Sequence, residues 1–98
     1  VISDNQYRIY FAAKEGNIFI FETLLQGVKI NAYDYDGRTA LGLAASEGNL
    51  AAVKYLATHG ADVFHRDVRN NDALDDAKRE NHAEVVAYLE SFIKHKKA

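Results

Sequence analysis

Ninety-eight residues give one domain with room for a modest core, and a net charge of −2 supplies no basic field for nucleic acid. The absence of Cys excludes a disulfide frame and thiolate chemistry, and fits a reducing, intracellular compartment, the cytoplasm being the one expected. No apolar run approaches the ~18 residues of a membrane span, Ile18-Phe19-Ile20-Phe21 being the longest of note.

The chain starts at Val1 with no Met and no visible signal peptide, so it reads as a fragment or processed form of a longer protein. After a loose lead-in over 1–4, apolar spacing predicts a helix from about Asn5 to Glu15 with Ile9, Ala12 and Ala13 facing inward. Gly16-Asn17 separates it from a second helix over roughly Ile18 to Gln26, ended by Gly27. An extended finger, Asn31 to Asp36, carries Tyr33 and Tyr35. Thr39 then stands where a hydroxyl can cap a helix that buries Leu41, Ala44 and Ala45 and stops at Gly48. The next helix runs from about Leu50, with Val53, Leu56 and Ala57 at helical spacing, to Gly60. A second finger, Phe64 to Asn71, carries Arg66, Val68 and Arg69. Asp72 caps the following helix, Asp75 and Asp76 lie in its first turn and Lys78 and Arg79 in its last, as the helix dipole favours. A last helix is expected from about His82 to Phe92 or beyond, closing in a frayed basic tail, Lys94-His95-Lys96-Lys97.

These elements repeat. A shift of 33 residues carries Asp34 to Asp67, Leu41 to Leu74, Ala44 to Ala77, Val53 to Val86 and Leu56 to Leu89. Gly37 becomes Asn70 and Gly48 becomes Asn81; Asn tolerates positive φ, so both sites call for a left-handed residue. Gly16-Asn17 matches Gly48-Asn49 at a shift of 32, which extends the repetition to the N-terminal third.

The stretch Asp36-Gly-Arg-Thr-Ala-Leu-Gly-Leu-Ala-Ala-Ser-Glu-Gly-Asn-Leu, followed by Gly60-Ala-Asp-Val, resembles an ankyrin repeat in period and in its Thr-x-Leu-x-x-Ala core. Ala40 stands where that family usually has Pro, and Gly42 where it usually has His. The resemblance implies an all-α solenoid of three helix–turn–helix repeats, about 4–33, 34–66 and 67–98. Lys78 in place of the small Ala45 suits a terminal repeat on which nothing stacks.

Such a domain would be a non-catalytic protein–protein interaction module, its partner another protein or another domain of the same chain. Carried over by position, the concave face that grips partners comprises Tyr33, Tyr35, Asp36, Arg38, Ser46 and Glu47, joined by Arg66, Val68, Arg69, Asn71, Arg79 and Glu80. Alternation along an extended finger puts both Tyr rings on one side and turns Asp34 back toward the turn before Thr39. The alternative is that both rings pack along the finger. Phe19 occupies a slot held by Ala51 and Glu84 in the other repeats. It is either a covered surface, contacting an upstream domain or a second copy, or a locally buried ring.

Chemistry has little foothold. His59, His65, His82 and His95 lack zinc-site spacing, and His82 fills the slot of Asn49, where the family commonly has a structural His. Ser3, Ser46 and Ser91 lack a nucleophile-elbow context, and adjacent Asp75 and Asp76 diverge on a helix. No catalytic residue, metal or cofactor is expected. Over the last two repeats the chain is also similar to the ankyrin segment that animal-type glutaminases carry at the C-terminus, and integrin-linked-kinase-like proteins carry a similar segment. Arg69 stands where that group usually has Trp, and Asp72-Ala73 where it has Thr-Pro. That likeness implies a regulatory or assembly domain of a larger amidohydrolase, mitochondrial in location.

Overall fold

Two side chains start the two best-defined first helices. Thr39 Oγ1 accepts from the Gly42 N–H at 3.2 Å, and α2 spans Ala40–Glu47. At the corresponding point Asp72 and Asp75 exchange bonds: the Asp75 N–H donates to Asp72 Oδ1 at 2.9 Å, and the Asp72 N–H donates to Asp75 Oδ2 at 3.1 Å. This reciprocal box opens α4, Ala73–Arg79. The four expected left-handed positions follow: φ is 73° at Gly37, 66° at Asn70, 74° at Gly48 and 61° at Asn81.

The computed structural model describes residues 4–19, 21 and 29–97. The remaining helices are α1 (Asp4–Glu15), α3 (Leu50–Thr58) and α5 (Ala83–Lys97), and no strand occurs among the described residues. The fold is therefore all-α. Helices α1, α2 and α4 lie side by side in one row; α3 and α5 form a second row, each paired with the helix before it. Ala12, Ala13, Ala44, Ala45 and Ala77 are buried along the first row, where small side chains let the helices approach closely. Leu41, Val53, Leu56, Val63, Val85 and Leu89 fill the space between rows. Most of the helix expected over Ile18–Gln26 lies outside the described residues. Phe21 within it is fully buried, its ring 5.4 Å from that of Tyr55.

The tail differs from expectation. Lys94 to Lys97 continue α5 instead of fraying. Phe92 and Ile93 pack on the core and carry the helix forward, and Lys is a good helix former favoured at a C-terminus. Lys96 Nζ lies 6.0 Å from the Phe92 ring centre.

Side chains from the start of each second-row helix tie the repeats together. Asn49 Nδ2 donates to the Ala13 carbonyl at 2.7 Å and also to that of Lys14; His82 Nε2 donates to the Ser46 carbonyl at 2.9 Å. His82 is thus a structural residue in the Asn49 slot. No helix among the described residues is long and apolar enough to cross a membrane.

Candidate partner-binding face

Each finger is locked by one aspartate. Asp34 Oδ1 accepts from the N–H groups of Asp36 at 3.0 Å and Arg38 at 2.9 Å, while its own carbonyl accepts from Gly37 at 2.9 Å. Asp67 does the same one repeat on, accepting from Arg69 at 2.9 Å and Asn71 at 3.0 Å. A carboxylate with two amide donors in a turn of this kind fixes the loop without help from a partner. The fingers are also joined to each other. The Val68 N–H donates to the Asp36 carbonyl at 3.0 Å, and His65 Nε2 donates to the Gly37 carbonyl at 2.8 Å.

The expected site residues then fall into groups. Tyr35 is 79% exposed, Val68 70% and Tyr33 61%, so three large side chains stand in solvent on rigid fingers. Tyr33 is anchored on one side by a stack on His65 at 5.4 Å. Arg66 is committed locally: Nη1 donates to the Asn70 carbonyl at 2.9 Å, and the guanidinium lies 3.5 Å from Asp75 and 3.9 Å from Asp72. Asn71 is half-buried with its backbone paired to Asp67, and Ser46 is half-buried with its carbonyl held by His82. Glu47 and Glu80 are exposed at the helix ends. A cleft of about 70 Å³ between the second finger and α4 brings together Asp36, Arg38, Val68, Arg69 and Arg79.

Asp76 lies at the floor of that cleft and was missed from sequence. It is 3% exposed and accepts from Arg79 Nη1 at 2.8 Å. Burial pushes its carboxyl above the ordinary aspartate value, against the opposing pull of Arg79 and Arg38. A signal existed: the 33-residue shift pairs Asp76 with Leu43, and an acid in a half-buried leucine slot needs a cationic partner. Arg79, expected to serve the helix dipole, is that partner. Among the described residues neither the Arg38 nor the Arg69 side chain belongs to an ion pair, and no three His, Cys, Asp or Glu side chains gather as a metal site.

Away from the fingers, Phe19 is 88% exposed, which removes the locally buried reading. Tyr7 and Phe11, one turn apart on α1, are 55% and 64% exposed.

A family model of ankyrin repeats in three copies matches residues 9–97. The chain is 38% identical over 82 residues to an L-asparaginase from Dirofilaria immitis, covering 83% of the chain and 14% of that protein. It is 39% identical over 92 residues to putative glutaminase 3 from Caenorhabditis elegans, covering 92% of the chain and 16% of that protein. The mitochondrial liver isoform of glutaminase from Rattus norvegicus is 38% identical over 86 residues, 86% of the chain and 14% of that protein. The aligned part is thus a small share of each relative. With paired helices, repeated left-handed turns and Asp-locked fingers, the chain belongs to the ankyrin-repeat family.

Proposed function

We propose that this domain is a non-catalytic protein–protein interaction module whose partner lies across the two fingers and the first-row helices. One observation carries the reading: Tyr35, Val68 and Tyr33 remain exposed on fingers that hydrogen bonds already hold rigid. A preorganised apolar strip loses little freedom on binding, and Tyr and Arg are common binding hot spots. The test is Tyr35→Ala against a partner recovered by pull-down. Affinity should fall about thirtyfold, the equivalent of ~2 kcal/mol, with unfolding of the free domain unchanged. Unchanged affinity with a lowered melting temperature would move the recognition strip to the outer helices.

A second reading makes the domain a regulatory or assembly segment of a larger amidohydrolase of the glutaminase type. It is favoured by relatives named as glutaminases and an L-asparaginase, each much longer than the aligned part. Under it the same face would meet another domain of the parent chain, in mitochondria; under the first, the compartment is the cytoplasm. The residues preceding Val1 in the parent protein separate the two. A serine-dependent amidohydrolase domain there supports the second reading, and further ankyrin repeats support the first.

A further inference from the structure

We propose that the cleft between the second finger and α4 receives a carboxylate side chain, Glu or Asp, from the partner segment, with Arg69 and Arg79 as its ligands and Arg38 lining the same cleft. The inference rests on the concave-face reading above and adds the chemistry of the bound residue.

The cleft has both signs of charge around it, so the question is which charges are already satisfied. Asp67 has two backbone N–H donors on Oδ1, at 2.9 and 3.0 Å. Asp76 is buried beneath the cleft and paired with Arg79 at 2.8 Å. Only Asp36, on the exposed rim, is an acid with no partner of this kind. Against it stand Arg38 and Arg69, neither in an ion pair among the described residues, and Arg79. A guanidinium carries five N–H donors, and the bond to Asp76 takes up one. Asp76 therefore acts as a positioning residue: it holds the Arg79 fork at the cleft and leaves its other donors for a ligand. The unsatisfied capacity is cationic and rich in donors, which is what a carboxylate requires.

Size and surroundings agree. A volume of about 70 Å³ holds several water-sized groups, enough for the end of an acidic side chain. Val68 stands exposed at the rim, and Tyr35 occupies the same position on the preceding finger. Apolar residues flanking the acid in a partner would meet them. The rim needs no rearrangement, since the Val68 N–H is bonded to the Asp36 carbonyl at 3.0 Å.

The probe is a set of three blocked pentapeptides, acetyl-Leu-Ala-X-Ala-Leu-amide with X as Glu, Gln or Lys, titrated into the ¹⁵N-labelled chain. The readouts are the arginine Nε–Hε and finger amide resonances. The Glu peptide should shift the Arg69 and Arg79 side-chain signals with millimolar affinity, about fivefold tighter than the Gln peptide. Raising the salt should weaken it. Arg69→Gln, at an exposed position, should leave folding unchanged and remove that preference. Arg79→Ala is a poorer test because it strands Asp76. The proposal is overturned if the Lys peptide acts at these residues as strongly as the Glu peptide. It is overturned too if no peptide moves the Arg69 and Arg79 signals at about 20 mM. Charge-blind shifts on the finger amides would overturn the carboxylate cleft but leave the concave-face reading intact. Shifts confined to α3 and α5 would overturn both.

Discussion

His82 closes directly over Gly48: a Cβ added to Gly48 would stand 2.5 Å from His82 Nδ1 and 2.7 Å from Cε1. The ring is held there by its bond to the Ser46 carbonyl, and Gly48 itself sits at φ 74°. Gly48→Ala should therefore combine left-handed strain of roughly 1–2 kcal/mol with crowding of about 1–3 kcal/mol. A urea titration should show a loss of about 2–5 kcal/mol; a loss under about 1 kcal/mol would mean the ring swings away freely.

Gly42 should behave in the opposite way. It lies in the first turn of α2, and a Cβ there would meet Asp76 Oδ2 at 3.6 Å and Thr39 Oγ1 at 3.7 Å, ordinary contact distances. Gly42→Ala should stabilise the chain by about 0.5–1 kcal/mol through helix propensity. Calorimetry should record a melting temperature higher by several degrees, and a fall would place the backbone closer to α4 than these distances allow.

The two finger tyrosines separate by their supports. Tyr33→Ala loses the stack on His65 and should cost about 0.5–1.5 kcal/mol of folding stability. Tyr35→Ala, at 79% exposure, should stay within about 0.5 kcal/mol of the parent. Equal losses in the two variants would mean that the exposed ring has a structural role.

Asp76 predicts a pH dependence with a definite sign. Its carboxyl is raised in the folded state, so the native chain holds the proton more tightly than the unfolded chain. The contribution of the protonated group to stability is fully present below the ordinary value of 3.8 and is lost as pH rises through the raised value. Arg79 and Arg38 limit that loss and Asp67 adds to it. Asp76→Asn keeps an acceptor for Arg79 without the charge. Its stability relative to the parent should increase across the same pH window, as followed by urea midpoints; a constant difference would show that Asp76 does not titrate there.

Phe19 offers a test of self-association. At 88% exposure, Phe19→Glu should change folding stability by about 0.5 kcal/mol or less. If the first repeat is a contact surface between copies, sedimentation of the parent should show a concentration-dependent dimer that the variant lacks. A parent that stays monomeric leaves Phe19 without that role.

The repeat architecture was legible because period, caps and left-handed sites are local properties. Thr39, Asp72, Gly37, Gly48, Asn70 and Asn81 each perform the task that their chemistry suggested. Polar pairing between side chains was less accessible, even over a few residues. Asp76 reads from sequence as a first-turn acid, with its match to the half-buried Leu43 slot as the one hint of the buried carboxylate. Arg66 reads from sequence as a partner-facing finger residue, yet it folds back onto Asn70, Asp72 and Asp75. The same limit applied at the C-terminus, where core contacts of Phe92 and Ile93 extend a helix that the basic run alone suggested would fray.

The ties made by Asn49 and His82 have a consequence for how such a chain can change over generations. Both reach a main-chain carbonyl, of Ala13 and Lys14 in one case and Ser46 in the other. Every amino acid brings that acceptor, so the neighbouring repeat can vary its side chains, or be copied, deleted or exchanged, and still receive the bond. The donor must be kept, and Asn49 and His82 supply it in two different ways. The bond itself asks for no particular side chain on its acceptor side, although the His82 ring still needs the glycine at 48 beneath it, and residues 46 and 47 can diversify while the stack stays in register.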